Sequence, residues 1–196
     1  MSVIRAFIAI DLASDVVKHL ARVTEDLQAR ISPHLVRWSS PENIHLTLKF
    51  LGDVSVQNLP LLKDALRAEA ASRSLFDLSV GGLGAFPKVN QPRVIWVGVE
   101  APDDLSSLQR AIENQMERLG YERQARPFAA HLTLGRVSRN VEARELRQVA
   151  QVLQEYKLGF LGVSRVTAVH LYRSDLTPDG AIYTRLFTAP LRPAAQ

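Results

Sequence analysis

The sequence predicts a duplicated α+β fold. It should be bilobal and pseudo-two-fold, with mixed or antiparallel sheets lining a central groove and helices packed outside. Three observations carry this. Segments of strand character alternate with amphipathic helices, but in mixed order, unlike a doubly wound parallel sheet. The tetrapeptide His-Leu-Thr-Leu occurs twice, at His45–Leu48 and His131–Leu134, the mark of an internal repeat. The 196 residues fit one domain, 1–196, whose two related lobes of about 90–100 residues each carry one motif.

Val3 to Ile10 is short, apolar and β-rich, so it reads as a first strand. Ser14 is a candidate N-cap for a helix from Asp15 to Ile31, with Val16, Val17, Leu20, Val23, Leu27 and Ile31 at helical spacing. Pro33 ends it. Val36 to Ser39 is a short strand before the Ser40–Pro41 turn. Ile44 to Leu51 alternates as a strand should, and Gly52 is expected to stop it. Val56 to Ser72 is a second helix. Leu75 to Val80 and Val94 to Val99 read as strands separated by a Gly- and Pro-containing loop. Asp103 or Asp104 caps a third helix that runs to Leu119 and ends at Gly120. Ala130 to Val137 is a strand and Val141 to Tyr156 a fourth helix. Phe160 to Arg173 and Ile182 to Thr188 close the fold, joined by a turn from Leu176 to Gly180. The tail from Pro190 is expected to fray.

Composition narrows the chemistry. There is no cysteine, which excludes disulfides, Cys-ligated zinc, iron–sulfur clusters and thiol catalysis. The apolar run at the start is too short for a signal-peptide core or a membrane span, so the reading is a soluble cytoplasmic protein with no membrane partner. The net charge is +4. Of the 24 basic residues 19 are Arg, the side chain that grips phosphate bidentately. They are scattered, without the basic run of a duplex-DNA binder. A small phosphate-bearing substrate, or the end of an RNA strand, fits better.

From 5 His, 27 Leu and 7 Thr in the chain, about 0.003 chance copies of the tetrapeptide are expected. Strand geometry gives the repeat chemical content. Side chains alternate faces, so His45 and Thr47 share one face while Leu46 and Leu48 share the other. The same holds for His131 and Thr133 against Leu132 and Leu134. The leucines can enter the core while the His and Thr pairs line a common groove. Two imidazoles across a pseudo-two-fold axis suit in-line phosphoryl transfer, where attacking and leaving oxygens are apical on phosphorus. One takes a proton from water and the other gives one to the leaving oxygen. Each Thr hydroxyl can donate to a non-bridging oxygen. The motifs hold no carboxylate and have no familiar metal-ligand spacing, so no metal and no cofactor are expected.

The twin His-x-Thr-x motifs make the chain resemble the two-histidine phosphoesterase superfamily. Within it, the chain is similar to the RNA 2′,3′-cyclic phosphodiesterases, a family formerly called 2′-5′ RNA ligases. Supporting stretches are Arg5 to Leu12, Asn43 to Gly52, Phe86-Pro87, Pro92 to Gly98 and Arg126 to Arg136. The resemblance implies a groove between two lobes and hydrolysis of RNA 2′,3′-cyclic phosphate ends to 2′-phosphates without a metal. The expected partners are such RNA 3′ ends, tRNA fragments among them, and the expected state is a monomer. The resemblance implies that His45 is the general acid to the leaving O3′ and His131 the general base to water; the near-symmetry of the motifs leaves these roles open. It also implies that Arg136 binds substrate. Strict alternation would turn Arg136 to the leucine face, so a bulge is needed, with Gly135 the candidate.

Further candidates for substrate contact are Lys49, which continues the His45 face, and Phe50, an aromatic able to stack on a base. By parity Phe50 belongs instead with Leu46 and Leu48 in the core. His170 lies in an apolar strand with Tyr172 where the motif would have Thr, and reads as a core or edge histidine. His19 and His34 read as surface residues, and Trp96 as core. Alternatives to RNA-end hydrolysis are reversible 2′-5′ RNA ligation, a phosphodiesterase for small cyclic nucleotides, and a non-catalytic RNA- or nucleotide-binding module.

Overall fold

The computed structural model describes residues 2–100, 102–177 and 180–193. The elements run β1 (Val3–Ile10), α1 (Ser14–Arg30), β2 (Val36–Trp38), β3 (Leu46–Ser55), α2 (Leu59–Ala71), β4 (Phe76–Lys88), β5 (Gln91–Glu100), α3 (Asp103–Arg118), β6 (His131–Val137), α4 (Ala143–Glu155), β7 (Phe160–Val166), β8 (Ala168–Thr177) and β9 (Gly180–Pro190). The α+β class and the four helices are as the periodicity predicts. Among the described residues nine strands form one sheet, ordered β7-β4-β5-β6-β3-β1-β8-β9, with β2 on β6. Every strand pairing named in it is antiparallel.

The sheet has a two-fold plan about the contact of β3 with β6, where Leu46 faces Leu132. On one side lie β3, β1, β8 and β9; on the other lie β6, β5, β4 and β7. These sheet halves are not the two halves of the chain. β4 comes from the first half yet pairs with β5 and β7, and β8 comes from the second half yet pairs with β1. The helices cross over too: α1 packs on β7 and α4 on β5, while α3 packs on β3 and α2 on β8 and β9.

The core lies between the helices and the leucine face. Leu46, Leu48, Leu132 and Leu134 are fully buried. So are Leu20 and Leu27 of α1, Leu62 of α2, and Leu105, Leu108, Ile112 and Met116 of α3. Burying one such side chain contributes about 1.5–3 kcal/mol, so these stripes hold the sheet to the helices. α4 begins with a capping box in which Glu142 and Glu145 each bond the other's backbone N–H. That satisfies two of the donors a helix start leaves free.

Several boundaries differ from the pattern reading. Gly52 does not stop β3; it takes φ 69° and the strand continues to Ser55. A positive φ costs glycine little, so here it permits an irregularity instead of ending the strand. The expected loop between β4 and β5 is mostly strand, because the two pair as a long hairpin from Ser79–Glu100 to Lys88–Gln91. Gly84 is required in it: a Cβ there would lie 2.2 Å from the Trp96 ring. Phe160 to Arg173 is two strands, broken between Val166 and Ala168. The tail is anchored at its start: Leu191 is buried and Arg192 bridges to Ser74. Pro178 and Asp179 of the expected turn, and residues 194–196, lie outside the described residues. Among the described residues no helix is long and apolar enough to cross a membrane.

Candidate active site

The Leu46–Leu132 register fixes the site. Leu46 and Leu132 are the register pair between β3 and β6, flanked by His45 and Thr47 on one side and by His131 and Thr133 on the other. The leucines face the core, so all four polar side chains share the other face, and each is half-buried. His45 and His131 are thus diagonal across the contact, and diagonal residues of an antiparallel pair lie roughly 7–8 Å apart, their Cβ atoms somewhat closer. A phosphorus with an apical oxygen on each side fits that span.

His131 Nδ1 donates to the Ala129 carbonyl at 2.7 Å. A carbonyl can only accept, so Nδ1 of His131 carries the hydrogen and its Nε2 is left to exchange protons. The surroundings then differ. His45 stacks on Phe7 at 4.7 Å and meets Tyr183 edge-on at 5.1 Å. Burial pushes it down to about 4, against smaller opposing effects of the Asn43 backbone and the Asp11 carboxylate. His131 meets Phe86 edge-on at 4.9 Å, with Trp96 at 6.5 Å.

Both motifs end in the same bulge. Thr47 pairs with Ala9 and Lys49 with Ile8, so Leu48 is an extra residue. Thr133 pairs with Trp96 and Gly135 with Ile95, so Leu134 is extra. An extra residue shifts alternation by one. Arg136 is thereby returned to the groove face and is exposed, as the sequence reading required of a bulge near Gly135.

The same shift corrects Lys49 and Phe50. Lys49 does not continue the His45 face. It is fully buried and donates to Glu113 at 2.6 Å and to the Glu122 carbonyl at 2.7 Å. Phe50 is not in the core. It is 60% exposed, in register with Phe7 and 6.1 Å from its ring. Trp96 is also on the groove face, opposite Thr133, and among the described residues its buried indole N–H has no partner.

The sequence reading missed a polar cluster beside His45. A cleft of about 350 Å³ is lined by Asp11, Glu42, Asn43, His45, Tyr172, Tyr183 and Arg185. Tyr172 donates to Asp11 at 2.7 Å, and Arg185 pairs with the same carboxylate. His170 Nε2 lies 3.6 Å from it and Nδ1 is 3.1 Å from the Thr188 hydroxyl. Burial lowers His170 and raises Tyr172 to about 12. His170 is thus a buried histidine, as its strand implied, but on the groove face. Only the β1–β8 register, which sets His170 opposite Ala9 and Tyr172 opposite Phe7, reveals the cluster; no local motif announces it. Of the remaining histidines, His34 is on the surface beside Glu145, while His19 is partly buried against the Leu161 carbonyl.

A LigT-like phosphoesterase family model matches the chain twice, over residues 10–96 and 97–183. The chain belongs to this family. Each match holds one His-Leu-Thr-Leu motif, so the duplication seen in sequence is the family's own. A protein of Methanothermobacter thermautotrophicus named RNA 2′,3′-cyclic phosphodiesterase is 36% identical, over 92% of this chain and 95% of its own length. One of the same name from Thermotoga maritima is 33% identical, over 93% of each. Among solved structures, a Thermus thermophilus protein superposes with TM-score 0.81 at 25% identity, over 97% of this chain and 100% of that one. Escherichia coli LigT complexed with 3′-AMP gives 0.75 at 26%, over 97% and 99%.

Proposed function

We propose that the protein hydrolyses RNA 2′,3′-cyclic phosphate ends to 2′-phosphomonoesters, as a cytoplasmic monomer and without a metal. The observation that carries this is the quartet of His45, Thr47, His131 and Thr133 gathered on one face about the Leu46–Leu132 contact. The names of the curated relatives support the substrate, and the 3′-AMP complex of the E. coli neighbour supports a nucleotide-sized ligand. Among the described residues no three His, Asp or Glu side chains come together as a metal site would need.

In the reaction, water attacks phosphorus and gives its proton to His131 Nε2. The P–O3′ bond breaks opposite the attack, and O3′ takes a proton from the His45 imidazole. Thr47 and Thr133 donate to the non-bridging oxygens, where charge is held. The product carries a 2′-phosphate and a free 3′-hydroxyl. His45 at about 4 is neutral in the free protein at neutral pH. Its acid role therefore depends on the anionic phosphodiester, whose charge favours the imidazolium. That same neutrality favours a second reading, with His45 as base and His131 as acid.

The test is His45→Ala and His131→Ala on an oligonucleotide with a 2′,3′-cyclic phosphate. Each variant should lose about 10²–10⁴-fold in kcat while keeping a folded circular-dichroism spectrum. Replacing bridging O3′ by sulfur gives a leaving group that needs no proton. It should restore the variant that lacks the acid and not the one that lacks the base. Turnover should persist in EDTA; full activity of either variant, or loss in EDTA reversed by a metal, refutes the mechanism.

A further inference from the structure

Strand β2 is only three residues, Val36–Trp38, laid along β6 beyond the Leu46–Leu132 contact. Its outer residues face inward: a Cβ on Gly135 would meet Val36 at 2.8 Å and Trp38 at 2.9 Å. Alternation then turns Arg37 to the groove face. Its register partner is Arg136. Two arginines thus stand directly opposite each other, on one face, both exposed. Like charges so placed destabilise a strand pair. Among the described residues neither has a carboxylate within ion-pair distance. Arg185, in the same groove, is by contrast tied to Asp11.

The pair stands at the His45 end of the groove. Both guanidinium groups act on the Tyr183 hydroxyl, opposing the upward push of its burial, and the Tyr183 ring lies edge-on to His45. A cyclic phosphate between the two histidines carries a single negative charge. Arg136 at the edge of that site is enough to answer it. A second guanidinium in register, with no protein counter-ion, calls for a second anion alongside.

We infer that Arg37 binds the phosphodiester preceding the terminal nucleotide, so that the groove selects an RNA strand over a cyclic mononucleotide. This rests on the proposed reaction and adds the residue that distinguishes a strand from a mononucleotide. Arg suits it because its planar fork grips a phosphate through two parallel N–H donors. The resemblance that assigns substrate binding to Arg136 carries no role for Arg37.

The experiment compares wild type, Arg37→Gln and Arg37→Lys on a 2′,3′-cyclic mononucleotide and on a short oligonucleotide ending in the same group. The oligonucleotide-to-mononucleotide ratio of kcat/KM should fall about tenfold in Arg37→Gln, with partial retention in Arg37→Lys. The salt dependence on the oligonucleotide should flatten by about 0.7 in the log–log slope, as for one lost single-strand phosphate contact. An unchanged ratio, or equal losses on both substrates, overturns the inference. Fluorescence anisotropy with a labelled 2′-phosphorylated oligonucleotide gives a readout independent of turnover. Arg37-dependent binding without hydrolysis would sink the proposed reaction and keep this site. Binding indifferent to Arg37 would sink the site whether or not the protein turns over.

Discussion

At the scale of single residues, His45 and His131 come from identical tetrapeptides but sit in different media. His45 is enclosed by Phe7 and Tyr183, and its ring loses water that its charged form needs. Its value falls from 6.5 to about 4 on folding. Between those pH values the unfolded chain binds a proton that the folded protein does not, so stability is lost as pH falls from above 6.5 towards 4. On going from pH 7.5 to 4.5, wild type should lose about 2 kcal/mol more unfolding free energy than His45→Asn, allowing for the ring's partial exposure. Urea titrations at the two pH values measure it, and equal losses would show that His45 is not desolvated. The repeat itself was legible because exact recurrence needs no structure to notice. The inequality of its two copies was not, because the enclosing rings arrive from β1, β4, β5 and β9.

At the scale of elements, the informative failure of sequence reading is at Lys49 and Phe50. Alternation held through Leu48 and then reversed, since a one-residue bulge leaves no mark in a run of good strand formers. Arg136 betrayed its bulge only because a resemblance demanded that it reach the groove. The buried Lys49–Glu113 pair has a physical purpose: Glu113 also accepts from the Gln124 backbone N–H at 2.9 Å. It thereby ties α3 and the segment leading to His131 onto β3, the strand that follows His45. Lys49→Met should cost about 3–5 kcal/mol, because it strands the Glu113 carboxylate in the core. Lys49→Met with Glu113→Leu should recover much of that. Chemical denaturation of the two variants decides it; a single mutant as stable as the double would contradict a charge-pairing role.

At the scale of the whole molecule, the chain halves are interleaved. β4 completes the sheet half that carries β6, and β8 completes the half that carries β3. A fragment of residues 1–90 would therefore hold β1 without β8, and β4 without either β5 or β7. Expressed alone it should be unfolded by circular dichroism and amide NMR dispersion. A folded, dispersed fragment would mean that the repeats are separate domains. The length and the repeat announced a two-fold plan, and the local patterns announced most strands and all four helices. Which strand crosses to which half depends on pairings between residues far apart in sequence, where periodicity is silent.

In the proposed reaction the two-fold plan places two imidazoles across one cyclic phosphodiester. The most direct measurement is product analysis of an oligonucleotide ending in 2′,3′-cyclic phosphate, incubated with wild type, His45→Ala and His131→Ala in EDTA. A 2′-phosphate end from wild type alone is the predicted result. A 3′-phosphate end, no product from wild type, or equal product from the variants would contradict it.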